Sequence, residues 1–347
     1  MKVGIVTVQV PFIKGGAEML AQSLKDQLVI RGLNADIISL PFKWYPPETL
    51  LDHMLAARLT DFSEVNGEKI GRLITLKFPA YYTPHPNKVV WLLHQHRQAY
   101  DLYDTPYGDL HQSETGRLIA HEVQRWDQAF LPEHRTLFTI SRKVAERLRF
   151  YVDLAAEPLY HPPVNSTRFR CEAYEDFVLV PGRQDPLKRQ HLAIDALAST
   201  PERLKLVLIG ASVKRYEEEL RRKVSNLGLQ DRVVFRGLVT EEEKLSLFAR
   251  CLAVYYGVYD EDYGYITLEA FLALKPVITH NDSGGPLEFV TDAQNGYVVP
   301  PEPAAIAEAF RMFLDQPRRA QTMGRAGQAS LIAKRITWDH VIERLMS

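Results

Sequence analysis

One pattern occurs twice in this chain, and that repetition restricts its fold more than any other feature. A β-branched apolar run from Val3 to Val8 breaks into a loop at Pro11 to Gly16. The spacing then predicts a helix from Ala17 to Arg31, with Leu20, Leu24 and Leu28 on one face. Gly32 stops it, and Ala35 to Leu40 reads as the next strand. Such a strand–loop–helix–strand unit builds a parallel sheet. Further strands are expected at Arg72 to Lys77, Lys88 to Leu93 and Thr136 to Ile140, the last leading to a helix capped by Ser141. The aromatic, His-rich stretch from Trp91 to Trp126 has no period that sets its elements.

After the rigid passage His161-Pro-Pro-Val164 the pattern restarts. Strands are expected at Phe177 to Val180, Leu204 to Ile209, Val233 to Phe235, Ala253 to Gly257 and Pro276 to His280. Helices are expected at Arg189 to Leu197, Glu241 to Ala249 and Tyr265 to Leu274. The fold class is therefore α/β, as two Rossmann-like domains facing across a cleft. The first spans residues 1–168, the second 169–330, and a terminal segment follows at 331–347. Ligands of such sheets bind at the carboxyl ends of the strands, so the loops there are the places to look for chemistry.

Composition narrows the partners. Lys and Arg total 42 against 43 Asp and Glu, a net charge of −1, so no basic field suits nucleic acid. Cys171 and Cys251 are too few for a disulfide framework and too far apart for a close-paired zinc site, and read as free thiols in a reducing compartment. The N-terminus lacks the long apolar region of a signal peptide, and no apolar run is long enough to span a bilayer. These features place the protein in the cytoplasm, with a peripheral contact at the inner membrane face left open. Arg142, Lys143, Arg147 and Arg149 on one helix read best as a solvated basic face.

The chemistry concentrates in Glu261-Asp-Tyr-Gly-Tyr-Ile-Thr-Leu-Glu269. Glu261 falls in the turn after a strand, and Glu269 in the first turns of the next helix. Tyr263 and Gly264 lead into that helix, whose first N–H groups, on Tyr265 and Ile266, offer unpaired donors and a positive dipole end to a phosphate. One such Glu alone would as readily be a solvated helix residue. A second loop, Gly182-Arg-Gln-Asp-Pro-Leu-Lys188, puts Arg183 and Lys188 either side of a Pro turn, where both heads could converge on a diphosphate. Two surface cations are the commoner meaning of such a loop by itself. Gly15-Gly16 marks a third place where backbone can approach a ligand, and Asn281-Asp-Ser-Gly-Gly-Pro286 repeats the design.

Together these segments resemble the retaining glycosyltransferase family 4, which has the GT-B fold. The resemblance runs through Gly15-Gly16-Ala17-Glu18, Ser141 with Val144-Ala145, Gly182-Arg183 and Lys188, and Phe235 with Gly237. It continues in Glu261 to Glu269, Gly284-Gly285-Pro286 with Glu288, Asn295-Gly296 and Thr337-Trp338. It implies that Arg183 and Lys188 hold a diphosphate, Glu269 the ribose and Glu261 the sugar hydroxyls. The backbone from Arg236 to Val239 would line the base pocket, and the final helix would cross back to the first domain. The chain departs from the family at Asp262, where Gly is usual, and at Tyr263, where Phe is usual.

The family often places a His near the reacting carbon; His94 fits best, His96 is close behind, and Lys77 is another such position. Either histidine could equally be structural. His94 and His96 point to opposite faces of an extended chain, and nothing beside them completes a metal sphere, so neither metal nor cofactor is expected. The implied activity is retaining hexosyl transfer from a nucleotide sugar, UDP-glucose first and a GDP-sugar such as GDP-mannose second. The acceptor would be a hydroxyl of a saccharide or glycolipid. The alternatives are a catalytically silent nucleotide-sugar-binding subunit and another enzyme on the same fold, such as a sugar-nucleotide epimerase. A dehydrogenase is disfavoured because no G-x-G-x-x-G follows the first strand.

Overall fold

The computed structural model describes residues 1–12, 15–133 and 136–347, so Ile13 and Lys14 of the first loop lie outside the described residues. The chain divides into two compact units, residues 1–164 with 337–347, and residues 165–336.

The first unit is built on a six-stranded parallel sheet: β1 (Lys2–Gln9), β2 (Asn34–Pro41), β3 (Arg72–Thr75), β4 (Lys88–Leu92), β5 (Leu137–Thr139) and β6 (Glu157–Pro158), in the order β2-β1-β3-β4-β5-β6. Its central strands are covered on both faces, which is why β4 is buried at every residue and β1 at six successive ones. α1 (Gly16–Ile30) turns Leu20, Leu24 and Leu28 inward, as the sequence spacing predicts. α2 (Thr49–Leu59) was not foreseen, because its short apolar stripe of Leu50, Met54 and Ala57 sits among mixed residues.

Within the stretch that has no clear period, residues 97–112 form two short 3-10 turns and irregular backbone. Only α3 (Glu114–Phe130), opened by Ser113 accepting from the Gly116 N–H at 3.0 Å, is long enough to show a stripe. α4 (Arg142–Val152) starts on Ser141 in the same way.

The second unit repeats the plan with β7 (Phe177–Pro181), β8 (Lys205–Ile209), β9 (Val233–Gly237), β10 (Ala253–Tyr255), β11 (Val277–His280) and β12 (Gly296–Val299), in the order β9-β8-β7-β10-β11-β12. That is the 3-2-1-4-5-6 order of a dinucleotide-type sheet, whose crevice lies where the order reverses, beside β7 and β10. α5 (Gln190–Leu197), α6 (Lys214–Asn226), α7 (Glu241–Arg250), α8 (Tyr265–Leu272), α9 (Pro303–Asp315) and α10 (Pro317–Ala333) complete this unit. Phe310 and Phe313 of α9 are fully buried, each such ring contributing roughly 1.5–3 kcal/mol relative to exposure.

The boundary at 164/165 lies four residues before the expected one. α10 belongs to the second unit, and only Thr337 onward returns to the first. There α11 (Trp338–Met346) sets the Trp338 ring 6.5 Å from Trp91 of β4, while the Arg72 guanidinium donates to the Met346 carbonyl at 3.0 Å. Among the described residues no helix is long and apolar enough to cross a membrane.

Candidate active site

In the second unit the functional loops follow β7, β10 and β11. Gly182, at φ +116°, turns the chain out of β7. Asp185 then accepts from the Leu187 N–H at 3.0 Å, and Pro186 opens a 3-10 turn that ends on Lys188. The loop after β10 is stitched to the loop after β11 by backbone. The Glu261 N–H donates to the Ser283 carbonyl at 2.9 Å, and the Gly285 N–H returns to the Glu261 carbonyl at 2.7 Å. A methyl group built on Gly284 would stand 2.6 Å from that Glu261 carbonyl, so the loops meet at a distance only glycine allows.

These turns bring Lys188 and Glu261 together. The Lys188 ammonium pairs with the Glu261 carboxylate and lies 5.5 Å from the centre of the Tyr256 ring. Burial, and then the Glu261 charge, holds the Tyr256 hydroxyl well above its ordinary range. Arg183 does not share that partner; its Nε donates to Asp185 at 2.7 Å, and its side chain is 60% exposed. In the structure the two cations hold separate carboxylates, Lys188 that of Glu261 and Arg183 that of Asp185.

α8 begins at Tyr265 after Gly264, whose φ of +94° sets the turn, and Tyr263 is buried against Tyr265 and Phe289. Ile266 is half-buried in the first turn. Glu269 is no solvated helix residue: it is 5% exposed, with Oε1 3.1 Å from the Lys244 ammonium of α7. Burial raises the Glu269 carboxyl above its usual range even against Lys244. Burial also opposes the charge on Lys244, but Glu269 and then Glu241 outweigh it and hold that ammonium up. Val239 is half-buried between β9 and the α7 cap Thr240. The partners Lys244, Arg189 and Asp282 were not singled out from sequence; each belongs to a different element, and no local spacing joins them.

The remaining candidates lie in the first unit. Gly15 is not an open cradle: its N–H donates to the Glu18 carboxylate at 2.8 Å, and α1 starts at Gly16. Glu18 also takes the Lys77 ammonium at 3.0 Å. Burial opposes its charge, but Lys77 and the Gly15 N–H prevail and lower the carboxyl. β4 ends at Leu92, and His94 follows with Nδ1 2.7 Å from the Gln95 carbonyl. His96 packs on Phe78, ring centres 5.0 Å apart, and burial followed by the His94 charge pushes its imidazole down to about 3. Between them Gln95 turns inward to Asp127 of α3, which also accepts from Tyr81, Tyr82 and Tyr100 at 2.7–2.8 Å.

Two parallel-sheet units, with charged loops at the strand ends of the second, define the GT-B fold. A solved sucrose-phosphate synthase from Thermosynechococcus elongatus aligns over 99% of this chain and 97% of its own, with a TM-score of 0.80 at 19% identity. HepE of Anabaena, solved with UDP and glucose, aligns over the whole of both chains with a TM-score of 0.71, also at 19% identity. Such likenesses are of fold.

The family follows from sequence. Residues 169–330 match the family model of glycosyl transferases group 1, so the second unit is a domain of that family and the resemblance read from the motifs is borne out. The alpha-1,3/1,6-mannosyltransferase ALG2 of Homo sapiens is 30% identical over 199 residues, which are 50% of this chain and 48% of that protein. The mouse protein of that name is 34% identical over 137 residues, 40% of this chain and 32% of its own length. The chain thus spans less than half of these curated relatives.

Proposed function

We propose that the protein is a retaining glycosyltransferase that moves a hexosyl unit from a nucleotide diphosphate sugar to a hydroxyl of a saccharide or lipid-linked saccharide. The observation that carries this reading is the Lys188–Glu261 pair beside the α8 N-terminus, within a group 1 glycosyltransferase domain. Lys188, Arg183 and the first N–H groups of α8 oppose the charge that develops on the departing diphosphate. Glu261 orients the sugar through its hydroxyls, and Glu269, held by Lys244, takes the ribose. The leaving phosphate oxygen accepts the acceptor proton on the face it vacates, so no carboxylate nucleophile is required, unlike the paired carboxylates of glycoside hydrolases. His94, His96 and Lys77 of the first unit are the candidates for contact with the reacting sugar.

Glucosyl transfer from UDP-glucose is the first reading of the donor. A mannosyl donor, GDP-mannose, is the second, favoured by the mannosyltransferase names of the relatives. Thermal shift with UDP, UDP-glucose, GDP and GDP-mannose separates them, since a ligand at 100 times its Kd adds about 2.7 kcal/mol to stability. A shift with a nucleotide sugar but no transfer to any acceptor would support the silent-subunit alternative. No shift with any of the four would overturn the donor site. Lys188→Ala is expected to lower transfer by roughly 10²–10³-fold with the fold intact; full activity would remove Lys188 from the site.

A further inference from the structure

Residues 187, 188 and 189 each reach across to another loop, and the third has no role so far. The Leu187 carbonyl accepts from the Tyr259 N–H at 2.8 Å, and Lys188 pairs with Glu261. Arg189 is 6% exposed, lies 5.0 Å from the centre of the Tyr259 ring, and donates to the Asp282 carboxylate at 2.9 Å. Asp282 is in turn part of the stitching, because its carbonyl accepts from the Asp260 N–H at 2.9 Å, next to the bond from Glu261 to Ser283. Arg189 thus touches the loop that carries Glu261 through Tyr259, and the loop that sets the Glu261 backbone through Asp282.

Its backbone argues against passive filling. Arg189 has φ +50°, a conformation glycine adopts freely and a long side chain does not. A strained position that presents a buried guanidinium to the loops of a site points to a positioning task.

We propose that Arg189, acting through Asp282 and Tyr259, is the positioning residue that fixes Lys188 against Glu261 and so presets the donor site. The inference rests on the donor reading above. Arg189 itself touches no substrate. It holds three loops in register, so that Lys188 and Glu261 meet the diphosphate and the sugar without first being ordered.

The glycine variant separates this role from a merely structural one, because Arg189→Gly relieves the backbone while removing the guanidinium. Calorimetry with UDP, and with GDP in parallel, would be run on the intact protein and on Arg189→Gly, Asp282→Asn, their double variant and Lys188→Ala. The expected result is an unfolding midpoint for Arg189→Gly close to that of the parent, with nucleotide affinity lowered about tenfold. Asp282→Asn should lower it similarly, the double variant no further than the larger single change. Arg189→Lys, which keeps the charge without the planar fork, should recover only part of the loss. Parent-like affinity in Arg189→Gly, or additive losses in the double variant, would overturn the positioning role alone, provided Lys188→Ala weakens binding. A parent protein that binds neither nucleotide would overturn the donor reading, and this inference with it.

Discussion

The two units carry sheets of equal strand number, yet they hold their loops by different means. In the first, the chain after β4 is anchored by a side chain: Gln95 reaches Asp127, a fully buried carboxylate that also gathers three tyrosine hydroxyls. Burial raises the Asp127 carboxyl while those donors pull it back. In the second, the loops after β10 and β11 are joined by main-chain bonds at a close approach that glycine permits, and each takes an ion pair from the loop after β7, Glu261 from Lys188 and Asp282 from Arg189. A side-chain anchor leaves the backbone beside His94 and His96 free in sequence but depends on every member of the cluster. A backbone anchor sets the course of these two loops without the heads of Arg183 and Lys188, which stand on the loop after β7 and pair with Asp185 and Glu261.

The largest test of this contrast is Asp127→Ala. It would leave four buried donors without an acceptor and should destabilise the protein by on the order of 3–5 kcal/mol, read as a fall in the urea midpoint. A loss below about 1 kcal/mol would mean that the cluster is not the anchor.

Gly284→Ala comes next. At φ +72° and 2.6 Å from the Glu261 carbonyl, a methyl group must push the loops apart. A loss of about 1–3 kcal/mol is expected, together with weaker nucleotide binding; unchanged binding would show that Glu261 does not need the stitch.

Acid should weaken both units through buried histidines. Burial lowers His161 to about 3 and His280 to about 4, from 6.5. Each binds its proton less readily when folded, so the stabilisation is whole above pH 6.5 and is lost as pH falls from there toward 4. His280→Gln should flatten the urea midpoint between pH 7 and pH 5 relative to the parent; an equally steep fall would assign the effect elsewhere. Smallest of all, Arg149→Gln breaks an exposed pair with Asp153 and a long bond to that residue's carbonyl at 3.4 Å, and should change stability by less than about 0.5 kcal/mol. A larger change would give Arg149 a structural role like that of Arg147, which is buried beside the Asp101 carboxylate and so is not part of the solvated basic face expected from sequence.

Much of the fold was legible because strands buried on two faces and helices with one apolar stripe leave periods in the chain. β1, α1 and β7 lie within two residues of their expected limits. β6, two residues long, and α6, whose Tyr216, Leu220 and Val224 stand among charged residues, gave too little contrast to be seen. The segments that carry Glu261, Glu269, Arg183 and Lys188 stand out in the sequence by composition, the first and last two in loops after strands and Glu269 inside α8. The contacts around them were not legible: Lys244 meets Glu269, and Arg189 meets Asp282, only because the fold brings α7 to α8 and the loop after β7 to the loop after β11. The separate partner of Arg183 was missed for a simpler reason. Asp185 stood in plain view in the same loop, but nothing in its spacing said that it would claim the guanidinium.

The contact at Gly284 also makes the site unequal in its tolerance of drift. A charged head at the rim of a loop can be exchanged while the chain keeps its path, so on the proposed reading donor preference has room to diverge on this scaffold. The spacing between the two loops is set by side chains that are missing, and an absence cannot be replaced conservatively. Variation in homologous chains should therefore gather at positions such as Asp262, and stop at Gly284 and Gly285.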